Sequence, residues 1–215
     1  MLRLPIAKQL KKRTQIEIAF LQDEIMDIMY SITDNIVLHG GTAIWRCYSG
    51  KRFSEDLDFY SRDFPGLLPQ LRSTVESHGL TVQKIKDTGN VIFSSITNGN
   101  ATVKVEINHA SATIGIQMPY VLADGSTMEI LSLTPDQFIE EKMLAYSDRK
   151  YVRDLYDIYH LVNSSTLLDS TRQMLSRFMR DIEPPVDEAV LKTIVYLGLP
   201  PSLDNMKLAI LRGIQ

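Results

Sequence analysis

The sequence predicts an α+β fold: a mixed β-sheet with flanking helices, followed by a C-terminal helical bundle. Three observations carry this expectation. Residues 35–60 read as a strand, a paired glycine, a helix and a second extended stretch. From Leu80 to His109 apolar and polar residues alternate, which is the period of strands. Beyond Leu133 the alternation stops, apolar residues return at helical spacing, and prolines separate the segments. The change of period places a boundary between residues 1–133 and 134–215.

Taken in order, residues 5–30 carry Ile16, Phe20, Ile25, Ile28 and Met29 on one stripe with charges opposite, which predicts an amphipathic helix. Residues 31–35 break it. Ile36, Val37 and Leu38 form a short apolar run suited to a buried strand, Gly40 and Gly41 turn the chain, and residues 42–48 look helical. Residues 62–66 are rich in turn formers, and residues 67–78 predict a helix capped at Gly79. Strands are expected over 81–86, 91–96 and 101–107, the last two joined through Asn98-Gly99-Asn100. A further hairpin is expected at 120–122 and 128–131 around Asp124-Gly125. Thr134 suits an N-cap, Pro135 the first helical position, and Gln137 completes a capping box. Helices are then expected over 137–147, 153–162, 168–179, 186–196 and 203–211.

At 215 residues the chain can bury a substantial core. With 44% hydrophobic and 23% charged residues it has the composition of a globular protein, and a net charge of −3 argues against a molecule that is basic throughout. The charge is uneven: Arg3, Lys8, Lys11, Lys12 and Arg13 precede the first acid, and form either a local basic patch or simply the polar face of a helix. One cysteine, Cys47, excludes an intrachain disulfide, suits a reducing compartment and reads as a small core residue. No apolar run approaches the ~20 residues of a spanning helix and no signal peptide is visible, so a cytoplasmic location without membrane attachment is expected.

The chemistry concentrates in residues 35–60. Glycines let the backbone approach a polyphosphate closely, and the helix that follows offers free N–H groups and a partial positive charge. Asp56 and Asp58, two apart on an extended strand, project to one side. Paired carboxylates there suit a Mg²⁺ ion that also binds phosphate oxygens. Glu106 lies on a strand whose Val103, Val105 and Ile107 face the other way. Its carboxylate therefore stands on the face opposite those apolar side chains, where an exposed glutamate on the solvent side is one reading.

The string GGTAIWRCYSGKRFSEDLDF resembles the AbiEii/AbiGii-type toxin family, with its MenT relatives, within the nucleotidyltransferase superfamily. Gly-Gly-Thr, Arg52-Phe53-Ser54 and Glu55-Asp56-Leu57-Asp58 all stand where that family has them. His39 departs from the pattern, standing where many relatives carry a lysine, and reads as a strand-end histidine. A second block also resembles the family: Lys142, Ala145 and Arg149, then Arg153-Asp154-Leu155-Tyr156-Asp157. Lys142 and Arg149 are seven apart and share a face of one helix. Pairing of Arg153 with Asp157 at i, i+4, or an arginine–aspartate network joining two helices, is the structural alternative. The resemblance covers roughly residues 35–162.

The resemblance implies a nucleotidyltransferase-type sheet and transfer of an NMP from an NTP to an acceptor hydroxyl. It implies Mg²⁺ (or Mn²⁺) held by Asp56, Asp58 and Glu106, and a triphosphate cradled by Gly40, Gly41 and Thr42. Arg52, Ser54, Lys142, Arg149, Asp154 and Asp157 complete the implied nucleotide site, Lys142 acting on the developing pyrophosphate charge. An RNA such as tRNA as acceptor, and a cognate antitoxin as partner, follow from the same resemblance. Three other readings stay open on the residues alone: a small-molecule nucleotidyltransferase, a kinase-like phosphoryl transferase, and a nucleotide-binding module without turnover.

Overall fold

The computed structural model describes residues 4–63, 66–109 and 115–215. Arg3 of the basic stretch and residues 64–65 of the turn-rich connection lie outside them. The chain divides into two compact units: Met1–Cys47 with Phe53–Ser132, and Tyr48–Arg52 with Leu133–Gln215. The short segment Tyr48–Arg52, which the change of sequence period leaves with the sheet, therefore belongs with the helices.

The first unit is built on a mixed sheet. In chain order its elements are α1 (Ile6–Gln9), α2 (Arg13–Ile32), β1 (Ile36–His39), α3 (Gly40–Cys47), β2 (Leu57–Ser61), α4 (Leu68–Ser77), β3 (Thr81–Asp87), β4 (Val91–Thr97), β5 (Thr102–His109), β6 (Ile116–Val121) and β7 (Thr127–Ser132). Among the described residues the sheet has seven strands in the order β3-β4-β5-β2-β1-β7-β6. Strand β1 runs antiparallel to β2 and parallel to β7, and β2 runs parallel to β5. Alternation along β2 and β5 sends Leu57, Phe59, Val103, Val105 and Ile107 to a buried face, where β5 packs with α2. Asp58, Glu106 and Asn108 point to the opposite face and are half-buried. A one-residue register slip would exchange the two faces, so the apolar pattern fixes where the carboxylates emerge.

The expected single helix over 5–30 is two helices, parted at Leu10–Lys12. The Ala7 N–H donates to the Ala123 carbonyl (2.9 Å), while Ile6 and Leu10 are buried. This bond and the burial of Ile6 and Leu10 anchor α1 beside the chain leaving β6.

The second unit contains α5 (Pro135–Arg149), α6 (Val152–Ser164), α7 (Asp169–Phe178), a 3-10 turn (Glu188–Val190), α8 (Leu191–Ile194) and α9 (Leu203–Gly213). The Thr134 capping box is complete: its hydroxyl accepts from the Gln137 N–H, and the Gln137 side chain accepts from the Thr134 N–H. The helix expected over 186–196 is a 3-10 turn and four residues of α8. Here Val186 N–H donates to the Lys150 carbonyl and Tyr196 N–H to the Lys51 carbonyl, and Val195 forms a bridge with Arg52. Extended pairing at both ends takes the backbone that a longer helix would need.

Candidate active site

The site in the sheet unit is assembled where β1 ends. Gly40 follows β1 with φ +72°, a left-handed conformation that glycine adopts without strain. A Cβ on Gly40 would overlap the Asp58 carboxylate, so the bare glycine is what lets that carboxylate lie against the start of α3. Thr42, wholly buried, donates its hydroxyl to the Asp56 carbonyl at 2.5 Å. Its hydroxyl thus ties α3 to the chain entering β2. His39 lies opposite Asp58 in register, its ring stacked on Tyr60 at 3.8 Å.

Asp58 and Glu106 are cross-strand partners on the parallel pair β2–β5. Partner residues on neighbouring strands stand about 5 Å apart and share a face. Asp56, immediately before β2, joins them along one cleft of about 810 Å³, whose other walls include Gln83, Lys84, Lys86, Phe93, Ser95 and Lys104. The Asn108 amide donates to Glu106 Oε1 at 3.1 Å, which orients that carboxylate. The donor set is carboxylate oxygen throughout, which fits a hard divalent cation better than a thiophilic one. Among the described residues no three His, Cys, Asp or Glu side chains are drawn together as a ready metal cluster. The carboxylates share a cleft wall; they do not yet converge on one point.

Support for this strand comes from a residue outside both sequence motifs. Gln22 of α2 is fully buried and donates to the carbonyls of both Ser54 and Glu55 (3.0 Å each), the two residues before Asp56. Its own carbonyl oxygen accepts from Arg46, which also reaches the Ala19 and Val121 carbonyls and pairs with Asp23 at 3.4 Å. The Arg46 guanidinium lies 4.1 Å from the Trp45 ring centroid. Burial pushes the Asp23 carboxyl above its ordinary value, though the Arg46 charge opposes that shift. A glutamine within the apolar stripe of α2, between Ala19 and Ile25, is the signal that could have marked this positioning role. Ser54 therefore contributes a backbone carbonyl to the scaffold. Cys47 is half-buried, and burial pushes its thiol up to about 12, so it is not a thiolate at neutral pH.

The remaining sequence candidates lie in the helical unit and form a charge network there. Arg52 donates two hydrogen bonds to Asp157, Nε to Oδ1 and an Nη to Oδ2, both 2.6 Å. Lys142 reaches Asp157 at 2.9 Å and Asp154 at 3.4 Å. Arg149 binds both oxygens of Asp154 at 2.8 Å. Both aspartates, Arg52 and Lys142 are buried, while the Arg149 side chain is 36% exposed. Burial pushes the Asp157 carboxyl up, but the charges and hydrogen bonds of Arg52 and Lys142 outweigh that, leaving it below the ordinary carboxylate range. Arg153 does not pair with Asp157; its guanidinium lies 5.5 Å from the Tyr151 ring, because Asp157 faces inward toward Arg52 and Lys142.

The sequence model of the family described as nucleotidyl transferase AbiEii toxin, of type IV toxin–antitoxin systems, matches residues 28–197. The chain is an AbiEii-family nucleotidyltransferase. The family match spans both the carboxylate-bearing sheet and the Lys142–Asp157 block. Solved structures share the fold of this AbiEii-family chain. JHP933 from Helicobacter pylori is 23% identical, with 91% of this chain and 90% of that one covered at a TM-score of 0.64. MenT4, a nucleotidyltransferase toxin of Mycobacterium tuberculosis, is 18% identical, with 92% and 81% covered at a TM-score of 0.63. No curated protein matches the sequence. No described helix of the AbiEii-family chain is long and apolar enough to cross a membrane.

The Gly40 geometry has a direct consequence. Gly40→Ala is expected to lose about 1–3 kcal/mol of stability from its positive φ. It should also lose transfer activity beyond that, because the new methyl displaces the Asp58 carboxylate. Thermal melts beside turnover measured well below the melting point separate the two effects. A folded Gly40→Ala protein with the parental rate would remove Gly40 from the site.

Proposed function

We propose that this nucleotidyltransferase moves an NMP group from an NTP to a hydroxyl of an RNA acceptor such as a tRNA, with Mg²⁺ dependence, and that a cognate antitoxin controls it. The observation that carries the reading is the register of Asp58 with Glu106, flanked by Asp56 in one cleft, with Gly40 bare against Asp58. In the reaction, the acceptor oxygen bonds to the α-phosphorus as the bond from that phosphorus to the β-bridging oxygen breaks, releasing pyrophosphate. Glu106 would take the hydroxyl proton. Asp56 and Asp58 would hold Mg²⁺, which supplies charge neutralisation on the phosphate oxygens. The Gly40–Gly41 backbone presents N–H groups at the start of α3 to the triphosphate.

Arg52, Lys142 and Arg149 outnumber Asp154 and Asp157 by one positive charge, and that surplus supports the assignment of the cluster to phosphate. Arg149, the most exposed of the three, is the best placed of them to donate to a ligand, with the fork geometry that suits phosphate.

Incubation with each α-labelled NTP, Mg²⁺ and total RNA, followed by gel and mass analysis, tests the proposal. Label in RNA with a mass gain of one or more nucleotides is the expected result. Label transferred only from γ-labelled NTP would mean phosphoryl transfer, and label in a small molecule would overturn the RNA acceptor.

A further inference from the structure

The cleft that holds the carboxylates extends beyond them. Phe93 on β4 is the cross-strand partner of Glu106, and Lys86 on β3 is the partner of Phe93. One step along, Lys84, Ser95 and Lys104 form a second row across β3, β4 and β5. Partners across a sheet share a face, so these side chains stand on the same open face as Glu106 and Asp58. Phe93 is 43% exposed, and the three lysines are exposed. All of them line the one cleft. None of the three lysines pairs with a carboxylate among the described residues.

A solitary exposed phenylalanine would be ordinary. Lysines on an edge strand such as β3 also discourage unwanted strand pairing. Neither explanation covers the set. Lys104 lies on β5, inside the sheet, where no edge needs guarding. Phe93 places an accessible aromatic ring one strand spacing, about 5 Å, from the Glu106 strand. A ring flanked by unpaired cations is the equipment that holds single-stranded nucleic acid, with bases stacked on the aromatic face and phosphates met by lysine.

We propose that Phe93, Lys84, Lys86 and Lys104 form a subsite for a single RNA strand, which delivers the acceptor end to the carboxylates. A base stacks on Phe93, and the lysines neutralise the adjoining phosphates. The subsite rests on the nucleotidyl-transfer reading for its purpose, though not for its binding chemistry.

The test is fluorescence anisotropy of a 5′-labelled decauridylate RNA over 50–200 mM KCl, without NTP. Phe93→Leu, which keeps apolar bulk but removes the ring face, is expected to weaken binding by roughly 5- to 150-fold. Phe93→Trp should match or exceed the parent. Replacing Lys84, Lys86 and Lys104 together by glutamine should flatten the slope of log affinity against log salt by about 2, since each single-strand phosphate contact contributes ~0.7. Thermal melts of each variant establish that the loss is not unfolding, and the Trp variant guards against a position that tolerates no change.

Parental affinity in Phe93→Leu, or a parental salt slope in the triple variant, would overturn the subsite. So would competition by decaglutamate as strong as by unlabelled RNA, which would mark a protein-docking patch. A Phe93→Leu protein that loses NTP affinity but holds RNA normally would assign the ring to the incoming nucleotide instead. The two readings fail separately. RNA labelling with an unchanged KM for RNA in Phe93→Leu removes the subsite and keeps the reaction. Phe93-dependent RNA binding by a protein that transfers no NMP keeps the subsite and removes the reaction.

Discussion

Asp58→Asn is expected to lower nucleotidyl transfer by roughly 10³-fold or more, equivalent to ~4 kcal/mol of transition-state stabilisation. The substitution keeps shape and removes charge. Asp58 is the centre of the site by three separate relations: it lies against Gly40, opposite His39 and in register with Glu106. Without its charge, the remaining oxygens would hold a divalent cation poorly, and the phosphate charge would go unneutralised. Stability should change by no more than about 1 kcal/mol, because Asp58 is on the open face and Phe59 and Leu57 carry the packing. Pyrophosphate release at saturating NTP, with a thermal melt beside it, reads both quantities. Glu106→Gln is the companion, and a smaller loss is expected if its main task is accepting a proton. A parental rate in Asp58→Asn would dismiss the carboxylate site altogether.

The largest stability effect is expected at Asp157. Asp157→Ala leaves Arg52 without its bidentate partner and Lys142 without the nearer of its two carboxylates, in a buried setting. Breaking a buried pair in this way costs about 3–5 kcal/mol, mostly from the uncompensated charge. The network also has a pH signature. The folded-state pKa of Asp157 lies below its ordinary value, so its contribution is complete above about pH 4 and is lost as the pH falls through the folded value. Asp157→Asn should therefore flatten the acid limb of a stability profile measured by denaturant unfolding between about pH 2 and pH 6. An unchanged acid limb would mean that the Arg52–Asp157 pair contributes nothing net. Lys142→Ala beside it separates two duties of that lysine. Loss of stability with a normal rate in the folded protein assigns Lys142 to joining α5 and α6, and loss of rate at near-parental stability assigns it to phosphate.

These two predictions draw on different sources. The carboxylate wall was legible in the sequence because it is written in local pattern. Alternation along residues 57–61 and 102–109 dictates which side chains leave the buried face, and Gly-Gly before an Asp-x-Asp marks a close backbone approach. The capping box at Thr134 was legible for the same reason, since all its atoms lie within four residues. The short helices around residues 188–194 were not. The backbone on either side of them, at Val186 and Tyr196, bonds to Lys150 and Lys51, contacts that no periodicity encodes.

What the sequence determined by itself was the kind of chemistry present: which carboxylates share a face, which glycines turn, and which family the pattern resembles. What only the tertiary structure decided was partnership. Strand order brought Glu106 beside Asp58 and Phe93 beside Glu106, and helix packing gave Asp157 to Arg52 and Lys142 and not to Arg153. Gln22 acquired its role only when α2 was laid against the chain entering β2. The physical reason is range. Side-chain direction follows from the backbone period of a few residues, whereas a hydrogen bond or an ion pair depends on which distant segment the burial of apolar surface brings within about 3 Å.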